Sequence, residues 1–377
     1  MNHIECTVER GIARLTLHRP KALNALSLAM IRDIAKALNA WATDDKVTHV
    51  LMRGTKWNKA LEASEPFGAF CAGGDIRYFH EAVYSSPSDA LNRESLEDFF
   101  TEEYALNHLI HHYPKPVIAF MDGVVMGGGM GLTQGAGSTG GARIVTERTK
   151  MAMPETAIGL FPDVGGGYFL SRCADGAIGV GEYLALTGQM LSGAEAVSTG
   201  LADVLIGSDQ LVDIWNNPFG LSLSKSSTPE QPFDKLRANG LIANLDLMQK
   251  HFAHTSLQAI VQPLQSDDSE WAKTALAKLQ KNSPLMLAVT LEQIRRARSM
   301  SLADDLRMER DMVYHCFAGT PKQCSDTVEG IRALVIDKDH SPKWQPARLE
   351  DVTQTMVDAF FQSPWSAVAH PLQKLGK

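Results

Sequence analysis

The chain has no basic excess with which to hold a polyanion. Its 377 residues carry 36 Lys and Arg against 43 Asp and Glu, a formal net charge of −7. That argues against nucleic acid as a partner, while leaving room for a local basic patch facing an anionic small ligand. Cysteine is sparse. Cys6, Cys71, Cys173, Cys316 and Cys324 are scattered, odd in number and never spaced C-x-x-C. A chain this long buries enough core to fold without disulfides, so reduced thiols are expected. No uninterrupted apolar run reaches the ~20 residues that a membrane helix needs. The opening MNHIECTVERG has neither an apolar signal core nor an Arg-rich amphipathic presequence. These absences together predict a cytoplasmic protein with no membrane and no nucleic-acid partner.

What is present reads as alternating strands and helices followed by helices alone. The length suggests about two domains. Residues 8–17 predict a β-hairpin turning at Glu9-Arg10-Gly11. Ser27 is a candidate cap for a helix on which Leu28, Ile31, Ile34 and Leu38 recur at helical spacing. Strands are predicted over 47–52, 117–120, 142–145 and 202–206. Helices are predicted over 76–82, 182–187 and 192–199, and a longer one over 95–112 ends before Lys115-Pro116. A polar gap at 85–89 precedes that long helix. From 216 to 234 the composition shifts to Asn, Pro, Ser, Lys and Gln. Beyond it strand signals nearly vanish, and helical patterns follow at 241–253, 268–281, 284–298, 302–316 and 323–334. The expected architecture is an α/β core over residues 1–207 with a mostly helical region over 208–377.

The stretch 151–167, MAMPETAIGLFPDVGGG, holds Glu155 and Asp163 among apolar residues. A carboxylate in such a setting must be paired, hydrogen-bonded or shifted in pKa, because burying a bare charge is costly. Functional sites produce this arrangement, and so do helix caps and ion pairs. Gly127-Gly128-Gly129 follows an apolar strand. Glycine lets a backbone approach a ligand closely, and a helix starting there would aim unpaired N–H groups at it; the bland reading is close helix–sheet packing. Ala72-Gly73-Gly74-Asp75 precedes a helical segment and could add a second outward N–H, or be a plain turn capped by Asp75. Two converging amides would stabilise charge on a carbonyl oxygen.

Several features resemble sites and are set aside. Gly135 to Gly140 match G-x-G-x-x-G, but loop and strand follow where a dinucleotide site needs a helix. Ser138 lacks the strand entry of a nucleophile elbow and a convincing partner His. His108, His111 and His112 share a helix, yet no acidic or thiol co-ligand accompanies them, so no metal site is expected. Glu102-Glu103 reads most simply as a solvated helix face.

Four runs, FCAGGD (70–75), GVVMGGGMGL (123–132), PETAIGLFPDVGGGYFLSR (154–172) and LTGQMLSGAEAVSTGLADVLI (186–206), resemble the crotonase, or enoyl-CoA hydratase/isomerase, superfamily. Within it the likeness is to the branch that hydrolyses 3-hydroxyisobutyryl-CoA. SPLMLAVTLEQIRRA (283–297), LRMERDMV (306–313) and EGIRALVIDKDHSPKWQP (329–346) resemble that branch's additional C-terminal region. The resemblance implies a crotonase-like spiral of ββα units and hydrolysis of a short branched 3-hydroxyacyl-CoA, as in valine catabolism. It implies that the N–H groups of Gly74 and Gly128 form an oxyanion hole. Glu155 and Asp163 match the catalytic carboxylates, and Glu103 matches a substrate-contacting glutamate; Gly128, Glu155 and Asp163 would also touch substrate.

Where hydratases carry a second catalytic glutamate, this chain has Gly131. That casts doubt on hydration, which uses both glutamates as acid and base. The segment 133–141 is about four residues longer than the family pattern, a change loops tolerate. No metal or redox cofactor is implied, CoA being part of the substrate, and a homo-oligomer is left open. The competing readings are an enoyl-CoA hydratase or isomerase with altered acid/base residues, and a non-catalytic acyl-CoA-binding protein.

Overall fold

The computed structural model describes residues 3–84, 90–218, 241–318 and 325–376. Cys324, the gap at 85–89 and most of the compositional shift at 216–234 lie outside the described residues, as does the start of the pattern at 323–334. The chain forms two compact units that interleave in sequence. One comprises residues 1–73, 109–152 and 190–246; the other comprises 74–108, 153–189 and 247–377. The division near 207 rests on composition, whereas the units follow packing, and so the two criteria cut the chain differently.

Every strand among the described residues belongs to the first unit. Its main sheet runs in the order Ile4–Glu9, Ile12–Leu17, His49–Gly54, Val117–Met121, Ala142–Thr146, Val204–Ile206. Only the first pair is antiparallel. The hairpin turns on Arg10 and Gly11, both at positive φ, as two-residue hairpin loops require. Val117–Met121 is buried at every position, the continuous apolar run expected of a parallel strand covered on both faces. Phe67, Phe120 and Trp215 pack edge-on in this core, with Leu211 and Ile144 among them. In a smaller sheet Lys150–Ala152 is the middle strand, paired with Val124–Met126 on one side and Leu191–Ser192 on the other. Cys71 bridges to Val125 beside it.

The second unit is helical. Five of its helices start on a serine whose hydroxyl accepts an N–H three residues on: Ser256, Ser269, Ser283, Ser301 and Ser325. They open Leu257–Gln265, Glu270–Lys281, Pro284–Ala297, Leu302–Phe317 and Asp326–Ile331. The first of these was not expected from the sequence, since Pro263 lies inside it. Pro263 sits in the last turn, and Ile260 and Leu264 are buried, so packing offsets the lost donor. No described helix is long and apolar enough to cross a membrane.

Candidate active site

The second unit brings together the three carboxylates that the sequence proposed. Glu155 opens the short 3-10 turn Glu155–Ile158, with Pro154 before it. Three contacts fix this turn. The Thr156 hydroxyl donates to the carbonyls of Ala185 and Leu186 at 3.3 Å. Asn282 donates back to Thr156 Oγ1 at 3.1 Å. Gly159, at φ +68°, lies directly against the Asp326 carbonyl, while Gly330 lies against Ile158. A side chain at either glycine would force this turn off the helix Asp326–Ile331.

Asp163 is held differently. Tyr104 Oη donates to Asp163 Oδ2 at 2.8 Å. Tyr104 and Glu103 lie on the helix Ala90–His111, on the face that also buries Phe99, Phe100 and Asn107. Glu103 is only 2% exposed. The solvated-face reading of Glu102-Glu103 therefore fails for Glu103, because it follows Phe99 by four residues and Phe100 by three and shares their face.

Burial and mutual repulsion govern the charges. Desolvation first, then the charges of Asp163 and Glu155, hold the Glu103 carboxyl well above the usual range. Glu155 is raised in the same way, by burial and by Asp163. Burial also lifts Asp163, to about 6, although the Tyr104 hydroxyl opposes the rise. Three close carboxyls in an apolar pocket cannot all ionise at neutral pH. Among the described residues, Glu103 Oε1, Glu155 Oε2 and both amide atoms of Asn107 are buried without a hydrogen-bond partner. Buried polar atoms are normally satisfied, so these are ready to meet polar groups of a ligand.

An aromatic wall adjoins the carboxyls. Phe79, Phe99, Phe100 and Phe317 pack at centroid separations of 4.7 to 5.9 Å, and Phe100 reaches Tyr104 at 6.1 Å. Gly74 stands at the edge of this wall, where a Cβ would lie 2.7 Å from Phe79 Cζ. Asp75 Oδ1 accepts from Tyr78 N at 3.4 Å and caps the helix Ile76–Tyr84, as its position implied.

Gly128 belongs to the first unit. It is the first residue of the helix Gly128–Gln134, preceded by Gly127 at φ +48°. Its N–H therefore has no place in the helical ladder. The neighbouring Gly129 approaches the Cys71 carbonyl so closely that a Cβ would lie 2.5 Å from it. Packing and an outward amide are thus both present in this glycine triplet. The Gly73 carbonyl accepts from Leu26 N at 2.8 Å, which fixes the plane of the peptide carrying the Gly74 N–H and turns that N–H the opposite way.

The glycine-rich match and the Ser138–His111 pair take local structural positions. Gly135–Ser138 is a 3-10 turn continuing from a helix, so the G-x-G-x-x-G match has no strand before it. Ser138 does have a histidine neighbour, His111 Nδ1 at 3.1 Å, but the pair is exposed. Burial and His112 lower the His111 pKa to about 4. Among the described residues, no group of His, Cys, Asp or Glu is arranged to hold a metal ion.

Sequence reading missed Tyr104, Asn107, Gln293, Asp305 and Glu309. The signal was available for the last two. Asp305 and Glu309 share a helix face with the buried Leu302, Leu306, Met312 and Val313, so they are acids on an apolar stripe.

A mainly parallel sheet in one unit, and three buried carboxyls in the helical unit interleaved with it in sequence, define a protein of the α/β class. The chain belongs to the enoyl-CoA hydratase/isomerase family, which matches residues 12–361. It is 38% identical to the mitochondrial 3-hydroxyisobutyryl-CoA hydrolase of Gallus gallus over 93% of this chain and 86% of that one. It is 37% identical to the Homo sapiens protein of the same name, with the same coverage. Among solved structures, an enoyl-CoA hydratase from Rhodobacter sphaeroides 2.4.1 superposes with TM-score 0.82 at 33% identity, covering 96% of this chain and 98% of that one. A carnitinyl-CoA dehydratase from Mycobacterium thermoresistibile gives 0.80 at 34%, covering 96% and 97%. The crotonase-like α/β fold expected from the motifs is therefore the fold of this chain.

Proposed function

We propose that this chain hydrolyses 3-hydroxyisobutyryl-CoA, a short branched 3-hydroxyacyl thioester, to the free acid and CoA, a step of valine catabolism. The observation that carries the reading is the pairing of Glu155, a buried carboxyl with an unengaged oxygen, with Asp163, oriented by Tyr104. Relatives named for this hydrolysis, at 37–38% identity over 93% of the chain, support it.

In this reading the thioester carbonyl accepts from the Gly74 and Gly128 N–H groups. Each such donor contributes about 2.7–4 kcal/mol to the transition state. Glu155 supplies the attack, with its own oxygen or through a water that it deprotonates. The tetrahedral centre collapses and the C–S bond breaks. Where water attacks, the acid forms directly; where Glu155 attacks, the mixed anhydride left on it is cleaved by water. In both routes a proton from water ends on the CoA sulfur and the Glu155 carboxylate is regenerated. Asp163 orients this attack. Glu103 and Asn107 offer the acyl hydroxyl buried polar atoms that otherwise lack partners. The aromatic wall keeps bulk water from the carboxyls, which strengthens these interactions. No step calls for a metal or redox cofactor.

The vertebrate relatives are named mitochondrial. The free thiols of this chain at Cys6, Cys71, Cys173 and Cys316 fit any reducing compartment, the cytoplasm among them.

Thiol release over a panel of acyl-CoAs tests the proposal. Release is expected with 3-hydroxyisobutyryl-CoA, and faster than with its unbranched and dehydrated relatives. Loss of enoyl absorbance without thiol release would replace the reading with a hydratase. Binding without any turnover would replace it with an acyl-CoA carrier. A single turnover in 18O-water probes the role of Glu155: label in its side chain marks direct attack, because only an anhydride cleaved at the Glu155 carbonyl puts a water oxygen there.

A further inference from the structure

The helices Pro284–Ala297 and Leu302–Phe317, which contain two of the segments resembling the additional C-terminal region, carry Gln293, Asp305, Glu309 and Arg310, none of which the chemistry above uses. The side chains of Gln293, Asp305 and Glu309 converge on the backbone of residues 162–168. Gln293 Nε2 donates to the Pro162 carbonyl at 2.7 Å. Glu309 Oε2 accepts from Gly165 N at 2.7 Å, and its Oε1 accepts from Gly167 N at 3.0 Å. Asp305 Oδ2 accepts from Tyr168 N at 2.9 Å. Gln293 Nε2 also donates to Glu309 Oε1 at 3.0 Å, joining the two helices that supply these tethers.

Asp163 therefore lies between a fixed carbonyl at 162 and a fixed amide at 165. Between them Val164 is held at φ +57°. A β-branched residue resists that conformation and keeps it only where its surroundings impose it. Gly167 has a physical reason here: a Cβ on it would lie 2.5 Å from Asp305 Oδ1.

The residue after Glu309 reaches the other partner of the pair. Arg310, 1% exposed, donates from Nε to Thr101 Oγ1 at 3.0 Å and forms an ion pair with Glu97. Thr101 and Glu97 lie three and seven residues before Tyr104 on its helix. Adjacent residues of Leu302–Phe317 thus hold the loop of Asp163 and the helix of Tyr104 at once.

We infer that Gln293 and Glu309 are positioning residues: they fix the backbone on either side of Asp163 so that its carboxyl meets Tyr104 and faces the reacting centre. The C-terminal helices, on this account, complete the site rather than merely enlarge the fold. The inference rests on the hydrolase reading.

The test compares Glu309→Leu, Glu309→Gln and Gln293→Met in the full-length protein. Glu309→Leu removes both acceptors and should lower kcat at least tenfold, with KM changed less than twofold. Glu309→Gln keeps one carbonyl acceptor and should recover most of that loss. Gln293→Met frees only the Pro162 side and should lower kcat severalfold, and it carries the test if Glu309→Leu does not fold. Hydrogen exchange over 160–170 should rise in each impaired variant. Folded variants with parental kcat would overturn the inference, and so would a loss confined to KM. A parent protein that releases no thiol from any acyl-CoA would instead overturn the hydrolase reading; the exchange measurement alone then decides whether the tethers hold the loop.

Discussion

Tyr104 Oη donates to Asp163 Oδ2 across 2.8 Å, and both side chains are buried. The contact favours the ionised carboxylate and opposes the burial that lifts Asp163 to about 6. Tyr104→Phe removes the donor while keeping the ring against Phe100. A hydrogen bond to a charged group contributes about 1.5–3 kcal/mol, so the Asp163 pKa should rise by about one unit or more. The acid limb of kcat/KM against pH should move upward by that amount. An unmoved limb would mean that Asp163 does not govern it.

Glu155→Gln keeps the shape of the turn and removes the group that attacks or deprotonates water. Turnover should fall by about 10²–10⁴-fold. Calorimetric affinity for a non-hydrolysable acyl-CoA analogue should stay near the parental value. Retained turnover would take Glu155 out of the reaction.

Stability should fall as pH rises from about 4 toward 8. Asp163 is raised to about 6 and Asp305 to about 7, while Glu103, Glu155 and Glu309 are raised well above their ordinary values, in each case chiefly by burial. Over that window the folded state binds more protons than the unfolded chain, so the free energy of unfolding decreases with pH. These groups contribute fully below the unfolded carboxylate range and lose their contribution as pH passes the folded values. A melting temperature higher at pH 5.5 than at pH 8 is expected. Glu309→Gln should flatten the slope.

Gly159→Ala should destabilise the fold by about 2–4 kcal/mol, from the left-handed backbone and the clash with the Asp326 carbonyl combined. The urea midpoint should fall. Any variant that remains folded should also lose activity, because Glu155 stands at the other end of the same short turn.

The buried acids Glu155 and Asp163 of the candidate site could be picked out without coordinates because they lie in one short, chemically unusual run. Glu155 and Asp163 stand out as acids among apolar neighbours, and Gly74 and Gly128 as glycines at helix starts. Glu103 was harder to read. As a lone acid beside Glu102 it looks solvated, and only the phase of its helix turns it inward beside Phe99 and Phe100. Tyr104 and Gln293 were beyond reach as site residues, since nothing local shows what a tyrosine hydroxyl or a buried amide faces.

The amino-acid order alone determined the strand and helix pattern, the serine caps and the chemistry on offer, because these depend on neighbours within a few residues. Tertiary structure decided the rest. It interleaved three segments into each unit, and it brought acids from residues 103, 155 and 163 close enough to shift one another's ionisation. It also set Glu309, more than a hundred residues away in sequence, on the amides of Gly165 and Gly167. Burial and charge coupling act through space, and a linear pattern carries no distances between segments so far apart.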